Sequence, residues 1–91
     1  SMAYKLKEGF VVRKIGGQIV AVPVGRQTSE IHGMIALTES AELLWNTLKD
    51  GAEESELVKI ITDNYDVDES RAAEDVKKFL KGLKEQGALY E

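Results

Sequence analysis

The side chains best suited to chemistry in this sequence are its single histidine, His32, and a scatter of carboxylates. A nucleophilic triad needs a serine or cysteine, a histidine and a carboxylate that the fold can bring together. The chain has no cysteine, and no serine stands at a spacing from His32 that suggests such a set. A zinc site would lack a second histidine or a thiolate. We therefore expect no catalytic residue, no metal site and no cofactor.

The acidic residues form pairs that ordinary helix chemistry explains. The pairs are Glu53-Glu54, Asp66 with Asp68, and Glu74-Asp75. They stand near predicted helix starts, where carboxylates are favoured, or on solvated helix faces. Gly16-Gly17 opens no helix, so it is not a phosphate cradle. The sequence therefore predicts a protein that is not an enzyme.

Length and composition indicate one folded domain over residues 1–91. Of the 91 residues, 43% are hydrophobic and 31% are charged, as in ordinary globular proteins. We interpret Ser1, which precedes Met2, as an expression scar. No apolar run approaches the ~20 residues that span a membrane, so we expect no membrane partner; the lack of cysteine favours a cytoplasmic location. A net charge of −4 and a pI near 5.0 disfavour nucleic acid.

The first part of the chain predicts a β-hairpin. Phe10–Ile15 is rich in β-branched residues, and Gly16-Gly17 suits the positive φ angles of a tight turn. Residues 18–24 read as the return strand, with Pro23 at a strand end or on an edge because it lacks an N–H. Both faces of this strand are apolar, so its inward face stays open.

The third predicted strand runs from Ile31 to Leu37. Its alternation puts Ile31, Gly33, Ile35 and Leu37 on one face and His32, Met34 and Ala36 on the other. Gly33 either relieves crowding or lets another backbone approach closely. A short strand at the edge of a sheet leaves N–H and C=O groups that a partner strand can use.

Three helices are predicted after this strand. Thr38 and Asp68 are the expected N-caps of the first and third, the second starts near Glu53, and Asp50-Gly51 and Gly87 mark helix ends. The predicted apolar stripes are Ala41, Leu44, Trp45 and Leu48; Leu57, Ile60, Ile61 and Tyr65; and Ala72, Val76, Phe79, Leu80 and Leu83. Residues 88–90 are either a final strand or a plug against the core.

The third helix has two flanks beside its apolar stripe. At about 100° per residue, Lys77, Lys81 and Lys84 cluster on one flank, and Arg71, Asp75, Lys78 and Gly82 lie towards the other. Glu74 and Glu85 occupy the outer face, where a DNA recognition helix would carry basic and amide residues. A solvated face, a basic flank for an acidic peptide and a DNA-binding helix remain possible. Gly82 inside the helix costs about 1 kcal/mol relative to alanine, which raises the question of close packing there.

Several segments together resemble the PqqD-like family over nearly the whole chain. The most telling are Asn-Tyr-Asp-Val-Asp at residues 64–68, Asp75-Val76 followed by Phe79-Leu80 and Leu83, and the closing Gly87-Ala88-Leu89. Leu37-Thr38-Glu39-Ser40-Ala41 before Leu44-Trp45, the opening residues 5–11 and residues 20–25 are also similar. One departure is that relatives usually have asparagine where Thr38 stands and a small residue where Glu42 stands.

The resemblance implies an α+β fold in which an N-terminal three-stranded antiparallel sheet precedes a three-helix bundle, in a winged-helix-like arrangement. It also implies a peptide chaperone. Such domains bind the leader of a ribosomally made precursor peptide and present it to a modifying enzyme, often a radical S-adenosylmethionine enzyme. The leader adds as a strand in a groove between the third strand and the third helix.

The binding residues that we expect combine this implication with the edge strand. The backbone of Ile31, His32, Gly33, Met34, Ile35, Ala36 and Leu37 is the hypothesised docking edge, and Arg71, Asp75, Lys78 and Gly82 are the preferred groove wall. Lys77, Lys81 and Lys84 form the alternative wall. Two other functions stay open: a winged-helix DNA-binding regulator and a subunit-interaction domain that binds an enzyme but no peptide.

Overall fold

A computed structural model describes residues 3–25 and 33–90. In chain order its elements are β1 (Ala3–Tyr4), β2 (Phe10–Ile15), β3 (Gln18–Pro23), β4 (Ile35–Leu37), α1 (Glu39–Leu48), β5 (Ala52–Glu53), α2 (Glu54–Asn64) and α3 (Glu69–Glu85). The predicted α+β class, with a three-stranded antiparallel sheet ahead of three helices, is confirmed. Within the described residues, no helix is long and apolar enough to cross a membrane.

The predicted hairpin is confirmed as the β2–β3 pair. Ile15 pairs with Gln18 across Gly16 and Gly17, whose φ angles of 57° and 82° are those that a tight two-residue turn requires. Pro23 is the last residue of β3, as expected for a residue without an N–H. The hairpin also resolves which face points inward. Ala21 is fully buried in the core, and Phe10, Val12 and Ile19 pack against it from the same face.

The third strand is shorter than the sequence predicts. It begins at Ile35, so the prediction that Gly33 and Met34 belong to it is wrong; Ile31 and His32 lie outside the described residues. The ladder ends at Ala21 opposite Ile35. Two residues further on, Pro23 of β3 has no N–H to donate, and Gly33 adopts a left-handed φ of 79° that no strand uses.

The alternation predicted for this strand is confirmed where the structure describes it. Ile35 and Leu37 are buried, whereas Ala36 is exposed and Met34 just before the strand is 57% exposed. Since β4 is the last strand of the order β2-β3-β4, the buried pair anchors it to the core while its other face and outer edge stay at the surface.

The helix ends follow the predicted capping residues. Thr38 Oγ1 accepts a hydrogen bond from the Ala41 N–H at 3.1 Å, and Asp68 Oδ1 accepts one from the Arg71 N–H at 2.8 Å. After α3, the N–H groups of Gly87 and Ala88 donate to the carbonyls of Lys84 and Leu83, at 3.0 and 2.9 Å. This is the Schellman arrangement, which the positive φ of Gly87 permits.

The core is formed by the predicted apolar stripes. Trp45, Leu48, Leu57 and Val76 are its largest fully buried side chains. Phe10 of β2 meets the Trp45 ring edge to face, with centroids 5.2 Å apart and planes at 88°, which joins the sheet to α1. Phe79 and Tyr65 are only partly buried and pack at the border of this core.

Residues 3–7 make backbone pairs whose partners the sequence does not predict. Residues 3–4 pair with β5, and Leu6 bridges to Leu89. The N–H of Lys7 donates to the Ala88 carbonyl, and that of Tyr90 donates to the Lys5 carbonyl, both at 2.9 Å. The terminal residues 88–90 therefore pair with the N-terminal segment and not with β4.

A side-chain hydrogen bond reinforces this seam. The Tyr90 hydroxyl donates to the Glu8 carboxylate. That hydrogen bond lowers the pKa of Glu8 below its ordinary 4.5 and raises the pKa of Tyr90 above its ordinary 10.0, because it favours the ionised carboxylate and the protonated hydroxyl.

Candidate functional site

The outer edge of β4 offers backbone hydrogen-bonding groups to a partner. In an antiparallel sheet, successive residues of a strand direct their N–H and C=O groups to opposite sides. Because Gln18 pairs with Ile15 of β2, the residues that face β4 are Ile19 and Ala21, and their partners are Leu37 and Ile35. The N–H and C=O of Ala36 therefore point away from β3. No described strand pairs with that side of β4. We call this side the open edge.

A cleft of about 480 Å³ opens beside the end of β4. It lies where the start of α1, the end of α2 and one side of α3 meet, and it has a largely apolar floor. Thr38, Glu39, Ser40, Ala41, Leu44, Ile61, Tyr65, Val67, Asp75 and Phe79 line it. Such a concave apolar surface with a few polar groups at its rim is typical of sites that take an apolar side chain.

Local sequence explains why this cleft is not filled by the core. Tyr65, Asp66, Val67 and Asp68 form the break between α2 and α3, so no helical side chains cover this corner. Val67, between two aspartates, stays 37% exposed. Phe79 stands about 100° round α3 from the buried Leu80, so its ring reaches the border of the core rather than its centre.

The predicted docking residues are arranged unequally at this site. The side chains of Ile35 and Leu37 are buried, so those residues can offer only backbone to a partner. Ala36 is exposed and lies on the open edge, while Gly33 and Met34 are exposed residues that lead into the strand.

The preferred wall of α3 borders the cleft through Asp75. Arg71 Nε donates to both carboxylate oxygens of Asp75, at 3.2 and 3.3 Å, and Lys78 Nζ lies 3.7 Å from Glu74 Oε1. A Cβ placed on Gly82 would meet no atom within 4 Å beyond its own stretch of helix. The described residues therefore supply no close packing that would account for a glycine in the middle of α3.

The opposite flank of α3 faces other elements. Lys77 Nζ lies 3.4 Å from Glu54 Oε2 at the start of α2, and Lys84 Nζ lies 5.1 Å from the centroid of the Tyr4 ring. Neither residue lines the cleft. Of the residues predicted on the two flanks of α3, Asp75 alone lines the cleft beside the start of α1.

Several cleft residues were not predicted as site residues. Periodicity assigned Phe79, Tyr65, Leu44 and Ile61 to the core, and Val67 to no role. The one signal is that Phe79 widens the apolar stripe of α3 to one side of its buried residues. In the described part of the chain, no three histidine or carboxylate side chains gather as metal ligands would.

Comparisons with known proteins agree with this fold. The family model described as Coenzyme PQQ synthesis protein D (PqqD) matches residues 18–89. A lasso peptide synthetase B1, solved in complex with the leader peptide, is 23% identical with a TM-score of 0.73; the match covers 97% of this chain and 98% of that one. TbiB1, solved in complex with the TbiA(beta) leader peptide, is 25% identical with a TM-score of 0.73, over 96% and 98% of the two chains. No curated protein sequence matches significantly.

Proposed function

Since the chain belongs to the PqqD family, we propose that it binds the leader of a ribosomally made precursor peptide and presents it to a modifying enzyme. The enzyme that we propose is of the radical S-adenosylmethionine type, and the chain itself catalyses no step. The observation that carries this proposal is the open edge of β4 next to the apolar cleft. We place the protein in the cytoplasm, where precursor peptides are made.

The leader binds by adding a strand to the sheet. The Ala36 N–H donates to the leader backbone, and the Ala36 C=O accepts from it. Because these bonds involve only backbone, they can form with any leader segment that adopts an extended conformation. Side chains on one face of the added strand then reach towards the cleft and supply selectivity. Gly33 and Met34 lengthen the contact ahead of β4, and the backbone of Ile35 and Leu37 holds the edge in place.

The wall of the groove is the flank of α3 that carries Arg71, Asp75, Lys78 and Gly82. Asp75 already lies at the cleft, and the unfilled space at Gly82 leaves room for a peptide backbone to pass close to the helix. The solved complex of TbiB1 with its leader peptide supports leader binding by this chain, since the two chains are alike over almost their full lengths.

The charge pairing on α3 disfavours the DNA-binding alternative. Three of its cations, Arg71, Lys77 and Lys78, lie beside carboxylates of the same chain. Phosphate binding would have to break those contacts and overcome the net charge of −4.

A peptide titration followed by NMR tests the proposal. Short peptides encoded beside the gene are added to the ¹⁵N-labelled chain. We expect the amides of Ala36, Thr38 and Asp75 to shift together, with that of Ala36 moving downfield as it gains an acceptor. Shifts confined to the β2–β3 turn, or no shift with any such peptide, would refute strand addition at β4.

A further inference from the structure

The charged residues at the cleft are all of one sign. Glu39 and Asp75 line it, and no lysine or arginine does. Glu39 has no ion-pair partner among the described residues, and Asp75 is paired only with Arg71, four residues before it on the same helix. Asp66 and Asp68 flank Val67 in the chain but do not line the cleft, and Asp68 Oδ1 accepts the Arg71 N–H at the start of α3.

The nearest basic residues do not cancel this charge. Arg71 and Lys78 are held along α3 by Asp75 and Glu74, and both cations are highly exposed. Each cation therefore offsets only its own partner, and the charge of Glu39 at the cleft is left unbalanced. Across the described residues 33–90 as a whole, acidic side chains also outnumber basic ones.

The positive end of α1 does not make the cleft an anion site. A helix N-terminus attracts negative charge, but here Glu39 and Glu42 already stand in the first turn. Thr38 Oγ1 already accepts the N–H of Ala41, one of the N–H groups at this helix end that lack an intrahelical acceptor. An acidic side chain of a ligand would therefore meet carboxylates before it met the helix end.

We infer that the cleft selects a peptide segment in which an aliphatic or aromatic residue is flanked by lysine or arginine. This inference rests on the proposed function and adds the chemistry of the leader that the site takes. The apolar residue packs on Leu44, Ile61 and Phe79. The stem of a neighbouring lysine or arginine lies over the apolar rim, and its charged head reaches Glu39 and Asp75. A glutamate or aspartate at the same place is repelled.

A selection from random peptides tests this preference. Phage-displayed nine-residue peptides are selected on the immobilised full chain, and the winners are synthesised for fluorescence anisotropy. We expect lysine or arginine next to an apolar residue, with aspartate and glutamate depleted there. Replacing the flanking lysine of a winner by glutamate should weaken binding about fivefold at low salt, and the difference should shrink between about 50 mM and 500 mM salt.

Two charge variants connect the preference to the cleft. Glu39→Lys should shift the selected flanks from basic towards acidic, and Glu39→Gln should reduce the preference without reversing it. Glu39 is exposed and makes no side-chain hydrogen bond among the described residues, so both variants should fold. Glu85→Gln removes one negative charge about 15 Å along α3 from Asp75, outside the cleft, and should leave the selection unchanged.

The outcomes separate this inference from the proposed function. Winners that shift the Ala36 amide but carry neutral or acidic flanks overturn the inference and leave leader binding intact. An unchanged selection with Glu39→Lys also overturns it. A library that yields no binder, or only binders that leave the Ala36 amide in place, contradicts the proposed function itself.

Discussion

Val20 and Ala36 face each other across β3 and β4, yet their backbone groups point in opposite directions. Val20 directs its N–H and C=O to β2, where Arg13 is its partner, and Ala36 directs its own to the open edge. Val20 is therefore bonded within the sheet, whereas Ala36 presents its N–H and C=O to a further strand. This relation is the physical basis of the proposed binding mode.

Replacing Ala36 by proline should weaken peptide binding without unfolding the protein. Proline removes an N–H that no described strand uses, and edge strands tolerate proline when the lost N–H faces outward. We expect calorimetric affinity for a bound leader peptide to fall about 3- to 10-fold, the value of one hydrogen bond. Ala36→Val keeps the N–H and is the matched control. Equal affinities for the two variants would contradict strand pairing at Ala36.

Gly82→Ala should separate stability from binding. Alanine in place of a mid-helix glycine stabilises a helix by up to about 1 kcal/mol, and the space around Gly82 admits the added methyl group. Urea unfolding should therefore show a gain. If a leader backbone passes close to this position, its affinity should fall at the same time. A variant that is more stable and binds the leader equally well would show that Gly82 is not part of the groove wall.

The Asp68 cap should stabilise the first turn of α3, the helix that carries the groove wall. Asp68→Ala removes the acceptor for the Arg71 N–H and should cost about 1 kcal/mol in the free energy of unfolding. Asp68→Ser keeps a capping oxygen and should lose much less. Chemical denaturation of both variants measures the difference, and an equal loss in the two would show that the cap is not the cause.

The Tyr90–Glu8 hydrogen bond should stabilise the protein most between pH 4.5 and 10.0. The lowered pKa of Glu8 means that its contribution is present above 4.5 and is lost as pH falls below that value. The raised pKa of Tyr90 means that its contribution is present below 10.0 and is lost as pH rises beyond it.

Thermal unfolding across pH tests this window. Tyr90→Phe should lower Tm within the window and converge with the wild type at both extremes. Glu8→Gln, which leaves the carboxamide as a weaker acceptor, should lower Tm less at neutral pH, and its combination with Tyr90→Phe should not be additive. A constant difference at every pH would mean that Tyr90 acts through packing alone.

Local signals in the sequence were enough for much of the fold. The Gly16-Gly17 turn, the caps at Thr38 and Asp68 and the stripe around Val76 are each determined by a few neighbouring residues, and all are observed. Strands β1 and β5 have two residues each, too few for any periodic pattern, so their pairing is a product of tertiary contacts.

The candidate site was predicted less completely, for two physical reasons. The alternation through Gly33 and Met34 looks like strand, but the ladder depends on Pro23, which lies in another strand and cannot donate. Periodicity also gives the direction of a side chain and not its depth. Phe79 therefore looked like a core residue, whereas its ring lies at the floor of a surface cleft.

The seam between residues 5–7 and residues 88–90 has a practical consequence for handling the molecule. The backbones of Lys7 and Ala88 and those of Tyr90 and Lys5 are hydrogen-bonded, so residues 5–7 and 88–90 are neighbours in space. Trimming a few residues from one terminus would loosen the other, and both would fray together. A circular permutant that links residue 90 to residue 3 and places its new termini elsewhere, for example at the Gly16-Gly17 turn, would keep the two segments paired.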